Sequence, residues 1–387
     1  MRYASWPFYF SLLLVGPVAF AYPEYAARYN INSCTACHFS PTGGGPRNRN
    51  GKLFGAHNYQ INPIVVQDFV SADLRVLDYY PQRAGGAKGG MGVMSGSVAG
   101  HAPLDADKRI FLVIEANVAG FSAAPMRDTY ALFRLGEEEK PNTLMVGRFR
   151  VPFGIVTDEH RTYTRVQTAT TWNNFETGAM LSVNPVSEWH YDFALVSGEN
   201  STGQTLQTGN ALRDGAVANL RWLPGFALFG VSGLYHDHDP DNLSTKAVSA
   251  YSIISLGRWT NDRVPVYLQL EHVRAWGMDG GLGQGFASQA SYISSLGNSE
   301  SQGWLGVVEW SVSQHFSLIY KYDLLIPDAT YPADYYQRHG FGFRWIVGPN
   351  TIIQARTEIA RATPPSEAGS VALAAQDATY VVLQLGL

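Results

Sequence analysis

The sequence predicts an all-β fold, an antiparallel transmembrane β-barrel of about 16 strands, which follows a short N-terminal segment of different character. Two observations carry this expectation. From about Ile64 onwards, segments of about ten residues alternate apolar and polar side chains, which is the period of a β-strand. The connections between these segments also alternate in length, which is typical of barrels with long outer loops and short periplasmic turns.

The N-terminus predicts an export signal over residues 1–21. Arg2 precedes an apolar stretch over residues 8–18, and Ala19-Phe20-Ala21 offers a small-residue cleavage site. The alternative is an N-terminal membrane anchor, but the apolar stretch is shorter than the roughly 20 residues that a spanning helix needs. The mature chain is therefore expected to begin at Tyr22, outside the cytoplasm.

Composition excludes several classes of function. The net charge is only −4, so the chain lacks the excess of positive charge that would predict binding to nucleic acid. Charged residues make up 16% of the chain, below the usual level of about 25%. After the signal, the most apolar stretch is 110–121, and Glu115 and Asn117 interrupt it. The sequence therefore predicts no membrane-spanning helix in the mature chain.

Within each predicted strand, one face is apolar and often aromatic, and the other face repeatedly carries charge. In the segment 315–325, for example, Leu318 and Tyr320 share one face while Lys321 and Asp323 share the other. A soluble β-sandwich would bury its aromatic faces in a finite core, and about sixteen such segments supply too many of them. A barrel with lipid outside and water or a plug inside accounts for both faces.

The connections set the strand count and the direction of the chain. Long connections at 157–175, 276–300 and 362–376 alternate with short ones such as 313–314 and 348–350. The count gives sixteen strands with both chain ends on the periplasmic side. Because such barrels usually have an even number of strands, fourteen and eighteen are the alternatives.

The N-terminal segment contains a haem attachment motif, Cys34-Thr35-Ala36-Cys37-His38. Two thiols at this spacing can each add to one haem vinyl group, and the adjacent His38 then lies beneath the ring as the proximal iron ligand. The alternatives are a redox disulfide, which needs a βαβ setting, and a zinc site, which needs further ligands. Both cysteines of the chain lie in this motif. We therefore predict one covalent haem c in residues 22–63.

The distal ligand of the haem iron stays open. His57 lies in the same segment as His38 and is the first candidate. Met91 and Met94 are alternatives, and a methionine would raise the reduction potential relative to two histidines. His101 is a weaker candidate, and a five-coordinate iron would suit ligand binding better than electron transfer.

A haem motif joined to a barrel resembles the fused monohaem cytochrome–porins of the bacterial outer membrane, best known from iron oxidisers. The resemblance covers the mature chain in architecture and is specific at Cys34, Cys37 and His38. It implies that residues 22–63 form a plug in the lumen and that residues 64–387 form the barrel. It also implies electron transfer across the outer membrane, with an extracellular donor such as Fe(II) and a periplasmic carrier such as a soluble c-type cytochrome.

The sequence departs from that family in two places. Residues 40–45 are richer in glycine than expected of the iron-oxidising members, and the chain ends in Leu387 where such barrels usually end in an aromatic residue. The alternative function is a substrate-diffusion porin whose haem segment is a gate or a sensor. A haem enzyme such as a peroxidase is less favoured because no paired acid and base lie near the motif.

Overall fold

The computed structural model describes most of the barrel and a few residues of the N-terminal segment. Cys34, His57 and the signal over residues 1–21 lie outside the described residues, so the predictions for them stay predictions. The described residues are 37–38, 47–48, 50–51, 54, 69–81, 89–120, 126–136, 142–156, 162–168, 170, 175–186, 188–197, 215–224, 226–238, 243–260, 264–278, 300–330, 332, 335–348, 350–363 and 377–386.

The described residues form sixteen strands in one closed barrel, as the sequence predicted. Each strand is antiparallel to the strands before and after it in the chain, and β1 pairs with β16 to close the sheet. The strands are β1 (Val70–Pro81), β2 (Gly90–Pro103), β3 (Ile110–Gly120), β4 (Met126–Leu135), β5 (Asn142–Phe149), β6 (Glu176–Val186), β7 (Trp189–Val196), β8 (Gly215–Trp222), β9 (Ala227–His238), β10 (Leu243–Ser255), β11 (Val266–Trp276), β12 (Glu300–Ser311), β13 (Phe316–Ile326), β14 (Tyr335–Gly348), β15 (Thr351–Thr363) and β16 (Ala378–Gly386).

Two short helices lie in the connections. Helix α1 (Tyr163–Gln167) lies between β5 and β6, and helix α2 (Leu256–Trp259) lies between β10 and β11. Within the described part of the chain, no helix is long and apolar enough to cross a membrane.

The two faces of the sheet are those that the alternation predicted. Leu318 and Phe341 point outward and are 42% and 55% exposed, whereas Lys321 and Asp323 point inward and are buried. Successive side chains of a strand point to opposite faces, so a single slip in register would have exchanged the two sets. The apolar outer face is the surface that contacts lipid.

Aromatic rings on the outer face stack beside the short turns. Trp222 stacks on Trp189 and on Phe229, with ring centroids 6.0 and 5.7 Å apart, next to the turns that join β6 to β7 and β8 to β9. Phe316 and Phe343 stack at 5.6 Å near the start of β13. Such rings form a girdle at the membrane interface of outer-membrane barrels. The barrel therefore lies in the bacterial outer membrane, and the end that carries the short turns is the one that faces the periplasm in barrels of this class.

A charge on the outer face of this barrel is expected to destabilise it far more than the same charge inside. Leu270 lies at the middle of β11 and is 51% exposed to lipid. Leu270→Arg should cost about 2–4 kcal/mol of folding free energy near the bilayer midplane. The measurement is the urea midpoint of unfolding in lipid vesicles.

The matched control is Gln269→Arg, one residue earlier on the same strand. Gln269 points inward between Ile253 and Val307 and is partly exposed, so an arginine head can be solvated or paired there. Equal loss of stability in the two variants would contradict the assignment of the faces.

Candidate functional site

The connection between β5 and β6 lies inside the barrel. It forms hydrogen bonds with inward-facing residues of four other strands, which lie 78 or more positions away in the chain. Because these partners belong to β9, β11, β12 and β13, the connection crosses the lumen. The bonds join the Gly154 amide to Ser232 Oγ (2.8 Å), the Ile155 amide to Glu271 Oε1 (3.1 Å), Gln167 Nε2 to Ser301 Oγ (2.7 Å) and Lys321 Nζ to Thr162 Oγ1 (3.0 Å).

Glu271 on β11 is the centre of this attachment. Arg165 of α1 forms an ion pair with its carboxylate, and both side chains are almost completely buried. Thr164 and Ser249 donate hydroxyl hydrogen bonds to the same carboxylate at 3.0 and 2.7 Å, in addition to the Ile155 amide. A buried ion pair is tolerated when further hydrogen bonds satisfy its remaining atoms, as they do for Glu271.

Gly154 allows the chain to turn at this point. Its φ is +60°, a left-handed conformation that glycine adopts without steric cost. A Cβ at this position would overlap with the Glu271 carboxylate and the Arg165 guanidinium. The close approach of the connection to β11 therefore requires glycine.

An apolar cluster lies inside the barrel. Val151 and Phe153 of the connection pack with inward-facing apolar residues of strands β3 to β11. The wall residues of this core are Phe111, Val113, Tyr130, Leu132, Met145, Phe149, Met180, Ala194, Val196, Val217, Leu234, Ala247, Val273 and Ala275.

Buried, paired charges lie on the inner wall at β13 to β15. Asp323 forms ion pairs with Lys321 at 3.0 Å and with Arg338 at 2.7 Å, and Glu358 lies 3.5 Å from Arg338. The Arg338 guanidinium stacks over the Tyr163 ring of α1 at 4.5 Å. The four charged residues are at most 2% exposed. Each of these buried charges therefore has a partner of opposite sign inside the barrel.

The inward position of this connection corrects one expectation from the sequence. The stretch 157–175 was expected to be a long outer loop, but its described residues lie in the lumen because Arg165 and Thr164 bind Glu271 there. The sequence does contain a signal for this position: Tyr163 is a large aromatic side chain within the expected outer loop 157–175.

The described residues of the N-terminal segment form a small backbone unit around the haem motif. His38 and Arg47 form an antiparallel β-bridge. The Asn48 amide donates to the Cys37 carbonyl at 2.9 Å, and the Asn48 side chain accepts from the Gly51 amide at 3.1 Å. This unit joins the second cysteine and the histidine of the motif to residues about ten positions later.

This unit contacts the inner wall of the barrel at the periplasmic mouth, the end that carries the short turns. Phe54 packs against Ile346 and Ile352, which pair with each other beside the turn between β14 and β15. The Arg47 guanidinium reaches Gly386 on β16, where any Cβ would overlap with it. The described part of the segment therefore lies in the mouth of the lumen.

The structure brings together two of the predicted haem residues. Cys37 and His38 are both half-exposed. A thiol next to an imidazole at an accessible mouth fits the donor chemistry that a covalent c-type haem needs. Among the described residues, no group of three or more histidine, cysteine or acidic side chains could hold a metal ion in another way.

The alternative distal ligands lie on β2, at different distances from the periplasmic end of the barrel. Met91 is 75% exposed on the outer face at the extracellular end of the strand, far from the mouth that holds His38. Met94 lies in the same extracellular half of β2. His101 lies near the periplasmic end of β2, and its ring is 6.4 Å from that of Phe111.

Comparison with known proteins identifies the fold. No protein-family model and no curated protein sequence matches this chain. Among solved structures, OmpF of Salmonella typhi in complex with daunomycin matches with a TM-score of 0.59 and 10% identity. An anion-selective porin from Comamonas acidovorans (0.56, 12%) and the outer-membrane channel DcaP of Acinetobacter baumannii (0.55, 9%) are also similar. Each match covers 82% of this chain and at least 96% of the other. The chain therefore has a porin-like fold.

Proposed function

We propose that this porin-like barrel transfers electrons at the outer membrane through one covalent haem c, held by Cys34, Cys37 and His38. The observation that carries the proposal is the position of the Cys37–His38 peptide at the periplasmic mouth of the barrel. A haem supplies a redox centre that amino-acid side chains lack. Its proposed partners are a periplasmic carrier such as a soluble c-type cytochrome and an extracellular donor or acceptor, for which Fe(II) is the candidate.

The described residues of the connection between β5 and β6 narrow the lumen. Val151 and Phe153 pack against the inner wall, and Arg338 is paired with Asp323 and Glu358. The haem motif supports electron transfer over diffusion of solutes, since a diffusion channel needs no covalent redox group. His38 would hold the iron from the proximal side, and His57 is the proposed distal ligand.

A second candidate is a solute channel whose N-terminal segment is a gate or a sensor. The porin-like fold favours it, and the similar structures include a porin described as anion-selective and an outer-membrane channel. In this case the connection held by Glu271 would have to leave the lumen before solutes could pass.

Proteoliposomes distinguish the two candidates. Vesicles with the full chain enclose ferricyanide and a small neutral dye, and a reduced soluble c-type cytochrome is added outside. Electron transfer predicts that the enclosed ferricyanide is reduced while the dye stays inside; protein-free vesicles are the control. Release of the dye from vesicles that contain the protein, but not from the protein-free vesicles, would instead support the channel.

A further inference from the structure

We infer that Asn48 and Gly51, with Arg47 and Phe54 as wall contacts, are positioning residues that fix the haem-binding peptide Cys37–His38 at the periplasmic mouth. The inference rests on the proposed function, which supplies the haem. It adds the place in the barrel where the haem is held and the residues that hold it there. It implies that the periplasmic carrier meets the haem directly at this end of the barrel.

The closest contact in this arrangement is between Gly51 and Cys37. A Cβ on Gly51 would overlap with the Cys37 carbonyl oxygen and would crowd the Arg47 side chain. The obstacle is backbone and not the flexible end of a side chain, so the substitution cannot be absorbed by a rotamer change. The position of the Cys37 carbonyl therefore depends on the absence of a side chain at residue 51.

Asn48 forms hydrogen bonds both with the Cys37–His38 peptide and with Gly51. Its backbone amide donates to the Cys37 carbonyl at 2.9 Å, and its side-chain amide lies 3.4 Å from the His38 carbonyl. Its side-chain oxygen accepts from the Gly51 amide at 3.1 Å. Asn48 thus connects both Cys37 and His38 to Gly51.

Two side chains attach this unit to the barrel wall. Phe54 packs on Ile346 and Ile352, and the Arg47 guanidinium occupies the space over Gly386. Gly386 also donates its amide to the carbonyl of Asn350 in the turn between β14 and β15. Both attachments therefore lie at the periplasmic rim, which fixes the height of the haem-binding peptide in the barrel.

The environment of a haem sets its potential through solvent exposure and nearby hydrogen bonds. A displaced Cys37–His38 peptide would change both, whereas a residue with a purely structural role in the barrel would leave the potential alone. The haem potential is therefore the readout that reports on positioning.

The test compares Gly51→Ala with Gly348→Ala in the purified full chain. Gly348 lies at the same rim, as the last residue of β14, and a Cβ there meets no atom within 4 Å. Gly51→Ala should keep its haem stain, shift the midpoint potential and accelerate trypsin cleavage after Arg47 about tenfold, since cleavage follows the population of the open form. Phe54→Ala should change both readouts in the same way without introducing a clash.

The outcomes distinguish failure of the positioning role from failure of the proposed function. If Gly51→Ala and Phe54→Ala fold as barrels with unchanged potential and unchanged cleavage, the positioning role is wrong. If the wild-type chain carries no haem stain, the proposed function is wrong. The cleavage comparison then still decides whether these residues hold the Cys37–His38 peptide at the mouth.

Discussion

Glu271→Ala is expected to open the barrel to ions. Glu271 neutralises Arg165 and accepts hydrogen bonds from Thr164, Ser249 and the Ile155 amide, all of them buried in the lumen. Removing one partner of a buried ion pair costs about 3–5 kcal/mol, because the other charge is left without compensation. The connection between β5 and β6 should then detach from β11, so that Arg165 can reach water. The measurement is single-channel conductance in planar lipid bilayers.

Glu300→Ala is the matched control for this experiment. Glu300 also forms an ion pair with an arginine, Arg274, through two hydrogen bonds of 2.9 and 2.6 Å. That pair lies on the outer surface and is partly exposed, and such pairs contribute at most about 1 kcal/mol. A Glu271→Ala barrel that folds and conducts no more than Glu300→Ala would show that this pair does not hold the lumen closed.

Replacing both cysteines of the motif by serine, Cys34→Ser with Cys37→Ser, is expected to abolish haem binding on a denaturing gel. Two thioether bonds survive denaturation, whereas a haem held only by an iron–histidine bond is released when the chain unfolds. The measurement is haem staining after electrophoresis of the wild type and the double variant.

Met91→Ala is the control, because it removes a sulfur atom at the opposite end of the barrel from His38. Its stain should equal that of the wild type. Haem that is extracted from the wild type by acid, or stain that persists in the double variant, would show that the motif does not attach haem covalently.

Much of the fold follows from local pattern. The alternation of Leu318 and Tyr320 with Lys321 and Asp323 fixes both the strand and its faces, because a strand in an antiparallel barrel contacts lipid on one side only. The sixteen strands and the short turns were predictable for the same reason. The haem motif was recognisable since its chemistry depends on five consecutive residues, Cys34 to His38.

The residues that lie inside the lumen could not be predicted from the local alternation of apolar and polar side chains. The sequence allowed water or a plug inside the barrel, and it assigned the plug to residues 22–63. The structure adds the connection between β5 and β6, whose buried Arg165 and Thr164 look like ordinary loop residues in the sequence. Only their partners on distant strands distinguish them from residues of a solvated outer loop.

The sequence by itself determined the barrel and its two faces and indicated the candidate haem ligands, because each of these depends on residues close together in the chain. The tertiary structure decided which connection enters the lumen and where the Cys37–His38 peptide lies. Arg165 meets Glu271 across 106 positions, and Arg47 meets Gly386 at the other end of the chain. Such contacts exist only once the sheet has closed, since closure alone brings β11 and β16 within reach of segments that no local pattern connects to them.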